Sequence, residues 1–179
     1  MGTPCYADRP LFLWSSIVIF VTVGSQLPFD RLIIAVDEWA KNSGSAVPVF
    51  AQIGISTYKP QHIDYCQTMT PDEYQSCLEK ADLIISHAGM GTIISALELG
   101  KTLLLMPRLA SHSEHRNDHQ LATLKNFSHF ANIVSIKDET ELAQTLDKQL
   151  SEKKFYSNLE TEVSPALINA IKEFINTVT

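Results

Sequence analysis

The residues best suited to chemistry lie in the segment Ser86–Thr92, where an apolar run ends in two glycines separated by one residue. Gly89 and Gly91 would let a ligand approach the backbone closely. A helix beginning near Thr92 would add unpaired N–H groups and a positive dipole end, which suits the diphosphate of a nucleotide. The same glycines can equally serve a tight turn, and His87 can be a structural histidine. The segment alone leaves both interpretations open.

A second glycine turn, Gly24-Ser25-Gln26, follows the apolar run at 17–23. In a parallel sheet this turn would lie at the same edge as Ser86–Thr92, so both turns could face one ligand. The G-x-G-x-x-G pattern is absent, and no acidic residue follows about 20 positions later, which argues against hydride chemistry. Gly24 can also simply reverse the chain.

The most polar segment, at 111–120, contains the histidines His112, His115 and His119. His115 and His119 are four residues apart and would share a helix face, so a zinc site is one interpretation. A second is the solvated first turn of a helix, where Glu114 would suit the dipole. A third is a set of polar groups that grip sugar hydroxyls. The residues by themselves do not choose among these.

The elements that must position these segments alternate between apolar runs and helical periodicities. We expect strands at 17–23, 47–53, 62–68, 83–86, 102–106 and 132–136. We expect helices at 29–40, 71–80, 92–99 and 114–126, and two more that close the chain. Thr70, Pro71 and Glu73 form a capping-box pattern. This alternation predicts a doubly wound, mostly parallel, Rossmann-like α/β sheet that binds ligands at the carboxyl ends of its strands.

The chain has 179 residues, is 45% hydrophobic and carries a formal net charge of -6. This length fits one domain, which we place at 17–179, with residues 1–16 as an appendage of unknown role. The charge and the lack of a basic stripe argue against a nucleic-acid-binding surface. Cys5, Cys66 and Cys77 fit neither a disulfide framework nor a zinc knuckle, as expected in a reducing cytoplasm.

The apolar stretch at 11–23 is interrupted by Ser15 and Ser16. It is shorter than the roughly 20 residues that a helix needs to cross a bilayer. Asp8 precedes it and no small-residue cleavage site follows, so a signal peptide is not predicted. We therefore expect a cytoplasmic protein.

Three ordered motifs together resemble the C-terminal domain of glycosyltransferase family 28. They are FVTVGSQLPFDRL over Phe20–Leu32, HAGMGT over His87–Thr92 leading into IISALELGK over Ile93–Lys101, and MPR over Met106–Arg108 followed by EHRNDHQ over Glu114–Gln120. More closely, they are similar to the small donor-binding subunits of bacterial exopolysaccharide glycosyltransferases and to the catalytic subunit of the dolichol-linked N-acetylglucosaminyltransferase. Motifs in this order are far more specific than any one of them.

The resemblance implies the C-terminal lobe of a two-lobed GT-B glycosyltransferase, which binds the uridine diphosphate (UDP) of a donor sugar. The implied diphosphate-binding residues are Gly24, Ser25, Gln26, His87, Ala88, Gly89, Met90, Gly91 and Thr92. The implied donor-sugar-binding residues are Glu114, His115, Asn117, Asp118, His119 and Gln120. Residues 68–71 would approach the base. Ser95 stands where many relatives carry an acidic residue that grips the ribose, and Glu98 lies one helical turn on.

The resemblance also implies a membrane-anchored partner with the acceptor lobe, which would recruit this chain to the inner face of the membrane and to a lipid-linked saccharide. The expected reaction is hexose transfer with inversion, with the general base on the partner. No metal or other cofactor is expected to be required, because a helix N-terminus with Arg108 or Arg116 can stabilise the leaving diphosphate. Two alternatives are a non-catalytic sugar-nucleotide-binding module and a metal-dependent hydrolase that uses the three histidines at 112–119.

Overall fold

A computed structural model describes residues 17–43, 47–153 and 155. Its six strands form one sheet in the order β3-β2-β1-β4-β5-β6, and every neighbouring pair is parallel. The strands are β1 (Ile19–Thr22), β2 (Val49–Gln52), β3 (Asp64–Cys66), β4 (Leu83–His87), β5 (Thr102–Met106) and β6 (Ile133–Ser135). The predicted doubly wound parallel sheet is confirmed.

Five α-helices connect and follow the strands in the described part of the chain. They are α1 (Asp30–Asn42), α2 (Pro71–Lys80), α3 (Met90–Glu98), α4 (His119–Phe127) and α5 (Leu142–Glu152). Single 3-10 turns occur at Ala110–His112 and Glu139–Glu141. The predicted appendage at 1–16 and the second of the two closing helices lie outside the described residues.

The hydrophobic core has two parts, one on each face of the sheet. Ile19 and Val21 of β1 pack with α1 and α5 on one face, where Leu32 is fully buried. Phe20 points to the opposite face and packs with α2, α3 and α4, where Phe127 is fully buried. Alternate strand side chains point to opposite faces, so helices that cover both faces of the sheet bury every side chain of its central strands. This explains why β1 is buried at every position.

The capping box predicted at the start of α2 is confirmed. The hydroxyl of Thr70 accepts a hydrogen bond from the backbone N–H of Glu73 at 3.3 Å. The carboxylate of Glu73 accepts one from the backbone N–H of Thr70 at 2.8 Å. Both bonds satisfy N–H groups that a helix start leaves unpaired, so local sequence is enough to place this helix boundary.

The helix predicted at 114–126 begins later, at His119, and this part of the prediction is wrong. Glu114 lies in a loop, where its carboxylate accepts hydrogen bonds from Arg31 and from the backbone N–H of Leu109. Asp118 likewise accepts a hydrogen bond from the backbone N–H of Ala110 at 2.8 Å. Glu114 and Asp118 would suit the first turn of a helix. Here their carboxylates instead bind backbone N–H groups of the preceding loop, and the helix begins after them.

The carboxyl ends of β1 and β4 meet at the centre of the sheet. Thr22 at the end of β1 is in register with Ser86 of β4. After β1 the chain crosses to β2 on one side of this strand pair, and after β4 it crosses to β5 on the other side. Such a reversal of direction opens a crevice between the two loops, which is where doubly wound sheets bind their ligands.

The loop after β2 is held by a carboxylate of α1. Asp37 is 1% exposed and accepts hydrogen bonds from Tyr58 Oη at 2.7 Å, from Gln61 N at 3.0 Å and from His62 N at 2.7 Å. Burial acts to raise the pKa of Asp37, but the bonds from Gln61, Tyr58 and His62 outweigh it and the pKa is lowered. The ionised carboxylate is therefore the form that stabilises the fold.

We expect Asp37→Ala to lower the free energy of unfolding by about 3 kcal/mol, because it removes the charged acceptor of three hydrogen bonds that hold the loop after β2. Since the folded pKa lies below the unfolded value, this contribution is present at neutral pH and is lost as the pH falls through the folded pKa. Urea unfolding at several pH values measures it. Glu38→Ala, at the next and exposed position, is the control and should change stability by less than about 0.5 kcal/mol. Equal stability of the two variants at neutral pH would contradict this role of Asp37.

Candidate functional site

The first wall of the site is the loop between β1 and α1. Gly24 has a φ of +74°, a conformation that favours glycine. Its backbone N–H donates to Thr22 Oγ1 at 3.3 Å, and its carbonyl accepts from Gln52 Nε2 at 3.3 Å. Thr22 Oγ1 in turn donates to Gln52 Oε1 at 2.7 Å. These bonds tie the glycine turn to the neighbouring strand and hold its backbone at the edge of the sheet.

The second wall is the turn from β4 into α3. A Cβ added at Gly89 would collide with the imidazole of His87, whereas one added at Gly91 would meet no atom within 4 Å. Gly89 is therefore required for packing, and Gly91 leaves open space above the first turn of the helix. The helix begins at Met90, two residues before the predicted start, and its N-cap Gly89 provides no side-chain hydrogen bond. The unpaired N–H groups of this first turn are available to a ligand.

The third wall is the segment that follows β5, and its main feature is Arg108. This side chain is 2% exposed, and its Nη2 donates to the carbonyls of Val23 at 2.6 Å and of Leu27 at 2.7 Å. These carbonyls flank the Gly24–Gln26 turn. The guanidinium also lies over the ring of Phe29, 5.2 Å from its centroid. Arg108 therefore joins the first wall to the third and brings a positive charge into the site.

Arg108 is a buried cation that lacks an ion-pair partner within the described ranges, where the ion pairs are those of Arg31 with Glu114 and Glu139. Its Nε is buried and has no hydrogen-bond partner among the described residues. Burial lowers the pKa of Arg108, and Glu114 partly opposes this shift. A buried charge that is only partly compensated is unfavourable, so an anionic ligand beside Arg108 would be stabilised.

Arg31 of α1 bonds to the loop of the third wall and holds it in place. Its guanidinium donates to both carboxylate oxygens of Glu114, from Nε at 2.9 Å and from Nη2 at 2.8 Å. It also donates to the carbonyl of Pro107 at 3.0 Å and to Glu139 at 2.6 Å. Two parallel bonds between a guanidinium and a carboxylate specify geometry as well as energy. Glu114 is thus engaged with protein groups and does not face the site.

The three walls enclose a cavity of about 370 Å³ at the carboxyl ends of β1, β4 and β5. It is lined by Val23, Gly24, Ser25, Gln26, Leu27, His87, Gly89, Gly91, Thr92, Arg108, His115 and Gln120. No carboxylate is among these lining residues, which fits an anionic ligand. A larger groove of about 650 Å³ lies between α1 and α5, away from the strand ends and from both glycine turns.

His87 is neutral at physiological pH. Burial, together with the charge of Arg108 and the nearby His115, lowers its pKa to about 4. The ring fills the space between the two glycine turns, since its Nε2 lies 3.0 Å from the place that a Cβ would take at Gly24. A neutral imidazole in this position can donate one hydrogen bond and accept one.

The structure brings most of the predicted diphosphate-binding residues together, with two exceptions. Ala88 and Met90 do not line the cavity, and Ala88 is buried in the core. The hydroxyl of Thr92 is bonded to Tyr74 Oη at 2.9 Å, a contact that the sequence did not predict. The sequence predicted this part of the site from its two glycine turns, and both turns line the same cavity.

Of the predicted sugar-binding residues, His115 and Gln120 line the cavity, whereas Glu114, Asn117, Asp118 and His119 do not. His119 is hydrogen-bonded to Asn117 and its ring packs edge-on against that of His115, with 4.4 Å between centroids. Burial, His115 and Arg116 lower the pKa of His119.

The remaining residues named from the sequence lie apart from the cavity. Arg116 is exposed, and residues 68–71, expected near a base, are exposed except for the half-buried Met69. Ser95 is half-buried and Glu98 is exposed. Arg108, which the sequence offered only as an alternative to Arg116, is the cation that the structure places in the site.

The spacing of His112, His115 and His119 allowed a metal site as one interpretation, but the described residues do not form such a site. No three His, Cys, Asp or Glu side chains converge there in a way that would hold a metal ion. Cys66 and Cys77 are buried and free of disulfide bonds, and Cys5 lies outside the described residues. The structure also has no helix, within the described ranges, that is long and apolar enough to cross a membrane.

Residues 18–178 match the family described as glycosyltransferase family 28 C-terminal domain. The chain is similar to the UDP-N-acetylglucosamine transferase subunit ALG13 of Yarrowia lipolytica (strain CLIB 122 / E 150), with 28% identity over 62% of this chain and 60% of the relative. It is also similar to the protein of the same name from Homo sapiens, with 34% identity over 60% of this chain and 10% of the relative. The matched region thus spans less than two thirds of either relative.

Among solved structures, the chain resembles the glycotransferase of kitacinnamycin, with a TM-score of 0.59 and 19% identity. The alignment covers 98% of this chain and 43% of that one. At this identity the likeness concerns the fold alone. It confirms the predicted fold class, a Rossmann-like lobe of the GT-B architecture.

Proposed function

The chain belongs to the glycosyltransferase family 28 C-terminal domain, and from this premise we propose that it binds the donor of a two-component glycosyltransferase. In this proposal a sugar moves from a UDP-sugar to a lipid-linked saccharide acceptor, in the synthesis of an exopolysaccharide or another glycan. The curated relatives are named as subunits of a UDP-N-acetylglucosamine transferase, which supports both a uridine nucleotide and a partner subunit.

The observation that carries the proposal is the cavity between the β1 and β4 turns. It combines the open first turn of α3 at Gly91, the backbone of the Gly24 turn and the buried charge of Arg108. A diphosphate is compact, anionic and rich in acceptor oxygens, so it matches backbone N–H groups and a guanidinium better than a neutral ligand would. This complementarity supports the diphosphate of the donor as the ligand.

In the proposed reaction an acceptor hydroxyl attacks the anomeric carbon of the donor sugar, and the bond from that carbon to the diphosphate oxygen breaks with inversion. The hydroxyl proton goes to a general base, which we place on the partner. Negative charge grows on the diphosphate as it leaves. The first turn of α3 and Arg108 would stabilise that charge without reorganising. No metal or other cofactor is needed in this scheme.

The proposed partner is a membrane-anchored subunit that carries the acceptor site. One lobe with a donor site would then work in the cytoplasm, at the inner face of the membrane, as half of a heterodimer. The support for this assembly is the family, together with the word subunit in the names of the curated relatives.

Isothermal titration of the purified chain tests the proposed donor site. We expect UDP to bind with a dissociation constant between micromolar and millimolar, and adenosine diphosphate to bind more weakly. Inorganic pyrophosphate serves as a control that isolates the contribution of the diphosphate. No heat with any uridine nucleotide at millimolar concentration, alongside binding of adenosine or guanosine nucleotides, would rule out the proposed donor.

A further inference from the structure

The buried side chain of Gln120 connects the third wall of the site to the second. Gln120 is 4% exposed and lies in the first turn of α4. Its Oε1 is 3.0 Å from the backbone nitrogen of Arg108, and its Nε2 is 3.4 Å from His87 Nδ1. Both ends of the amide are therefore engaged with protein groups.

These two contacts determine which way the amide and the imidazole are oriented. A backbone N–H can only donate, so the amide oxygen of Gln120 must face Arg108. The amide NH₂ then faces His87 and can only donate, so Nδ1 of His87 must accept. A neutral imidazole carries its single proton on the other nitrogen, which is Nε2.

The protonated nitrogen lies beside the first wall of the cavity. His87 Nε2 is 3.0 Å from the place of a Cβ at Gly24, and both residues line the cavity. The charged and titratable groups that act on His87 are Arg108, from the segment after β5, and His115, from the loop before α4. Both act with burial to lower its pKa to about 4, so the ring remains neutral near pH 7.

We propose that Gln120 is a positioning residue that holds His87 as the Nε2–H tautomer, so that His87 meets an anion in the cavity as a hydrogen-bond donor. The identification of that anion as the diphosphate of a UDP-sugar rests on the proposed function. This role adds to the expectation that Gln120 touches sugar hydroxyls, because one oxygen lone pair and one N–H of its amide are already bonded to Arg108 and His87. His87 would then contribute to binding without taking up a proton.

Nuclear magnetic resonance of the ligand-free, ¹⁵N-labelled chain tests the proposal, because long-range ¹H–¹⁵N spectra identify the protonated nitrogen of each histidine. At pH 7 the wild type should show His87 with Nε2 protonated and Nδ1 unprotonated. Gln120→Glu should place a proton on Nδ1, because a carboxylate facing that nitrogen can only accept. Gln144→Glu adds the same charge at an exposed position of α5 and should leave the wild-type pattern unchanged.

Two results would overturn the proposal: a protonated Nδ1 in the wild type, or an unprotonated Nδ1 in folded Gln120→Glu. If Gln120→Glu does not fold, Gln120→Met decides instead. Methionine cannot donate to Nδ1, so both tautomers of His87 should then be populated, and persistence of the pure Nε2–H form would contradict a positioning role.

Titration with UDP separates this inference from the proposed function. If UDP binds the wild type, Gln120→Met should weaken binding by the same factor by which it lowers the population of the Nε2–H tautomer, because only that tautomer donates to the anion. Unchanged affinity in a folded Gln120→Met would show that the tautomer does not matter to the ligand. If the wild type binds no uridine nucleotide, the proposed donor fails, while the spectra of the ligand-free chain still decide the tautomer.

Discussion

Gly91→Val is expected to weaken UDP binding by more than about 100-fold with little effect on folding. A Cβ at Gly91 meets no protein atom within 4 Å, so its methyl groups would extend into the open space above the first turn of α3. That space is where we place the diphosphate. Loss of two hydrogen bonds to a charged group, at about 1.5–3 kcal/mol each, accounts for the expected size of the effect.

Stability should change by less than about 1 kcal/mol in this variant, because valine is not a poorer helix former than glycine. Titration calorimetry and thermal unfolding of the same preparation measure both quantities. Gly91→Ala should give a smaller loss of affinity. Gly89→Val is the contrasting variant: its Cβ would collide with His87, so it should unfold more easily. Unchanged affinity in folded Gly91→Val would mean that the β4–α3 turn serves only the fold.

The second large effect concerns the partner. The isolated chain is expected to bind UDP and to show no sugar transfer above background, because the proposed acceptor site and general base lie on another subunit. Co-expression with that subunit should restore transfer to a lipid-linked acceptor. Gly91→Val in the same complex is the matched control and should abolish transfer while leaving the two subunits associated.

Turnover by the purified chain alone would place the acceptor site within these residues, and the two-subunit proposal would have to be abandoned. A complex that assembles and binds UDP but never transfers a sugar would instead favour a non-catalytic sugar-nucleotide-binding module. Radiolabelled donor sugar, followed into the lipid fraction, distinguishes these outcomes from slow hydrolysis of the donor.

Local patterns in the sequence determined the elements and the edge of the sheet at which the site lies. The Thr70–Glu73 capping box placed the start of α2, because both of its bonds join residues three apart. Apolar runs alternating with helical periodicities were enough to predict the parallel sheet. The glycine turns at 24 and 89–91 were visible as well. Gly24 has a positive φ and Gly89 lies against His87, and both situations exclude most side chains.

Tertiary structure alone decided which polar side chains face the cavity. Glu114 was predicted to touch a sugar and instead pairs with Arg31, which is 83 residues away in sequence. Arg108 bonds to the carbonyl of Val23 across 85 residues, and Gln120 reaches His87 across 33. A buried polar group must find a partner, and which partner it finds depends on the packing of distant segments. The sequence could therefore name the polar residues near the site but not assign their roles.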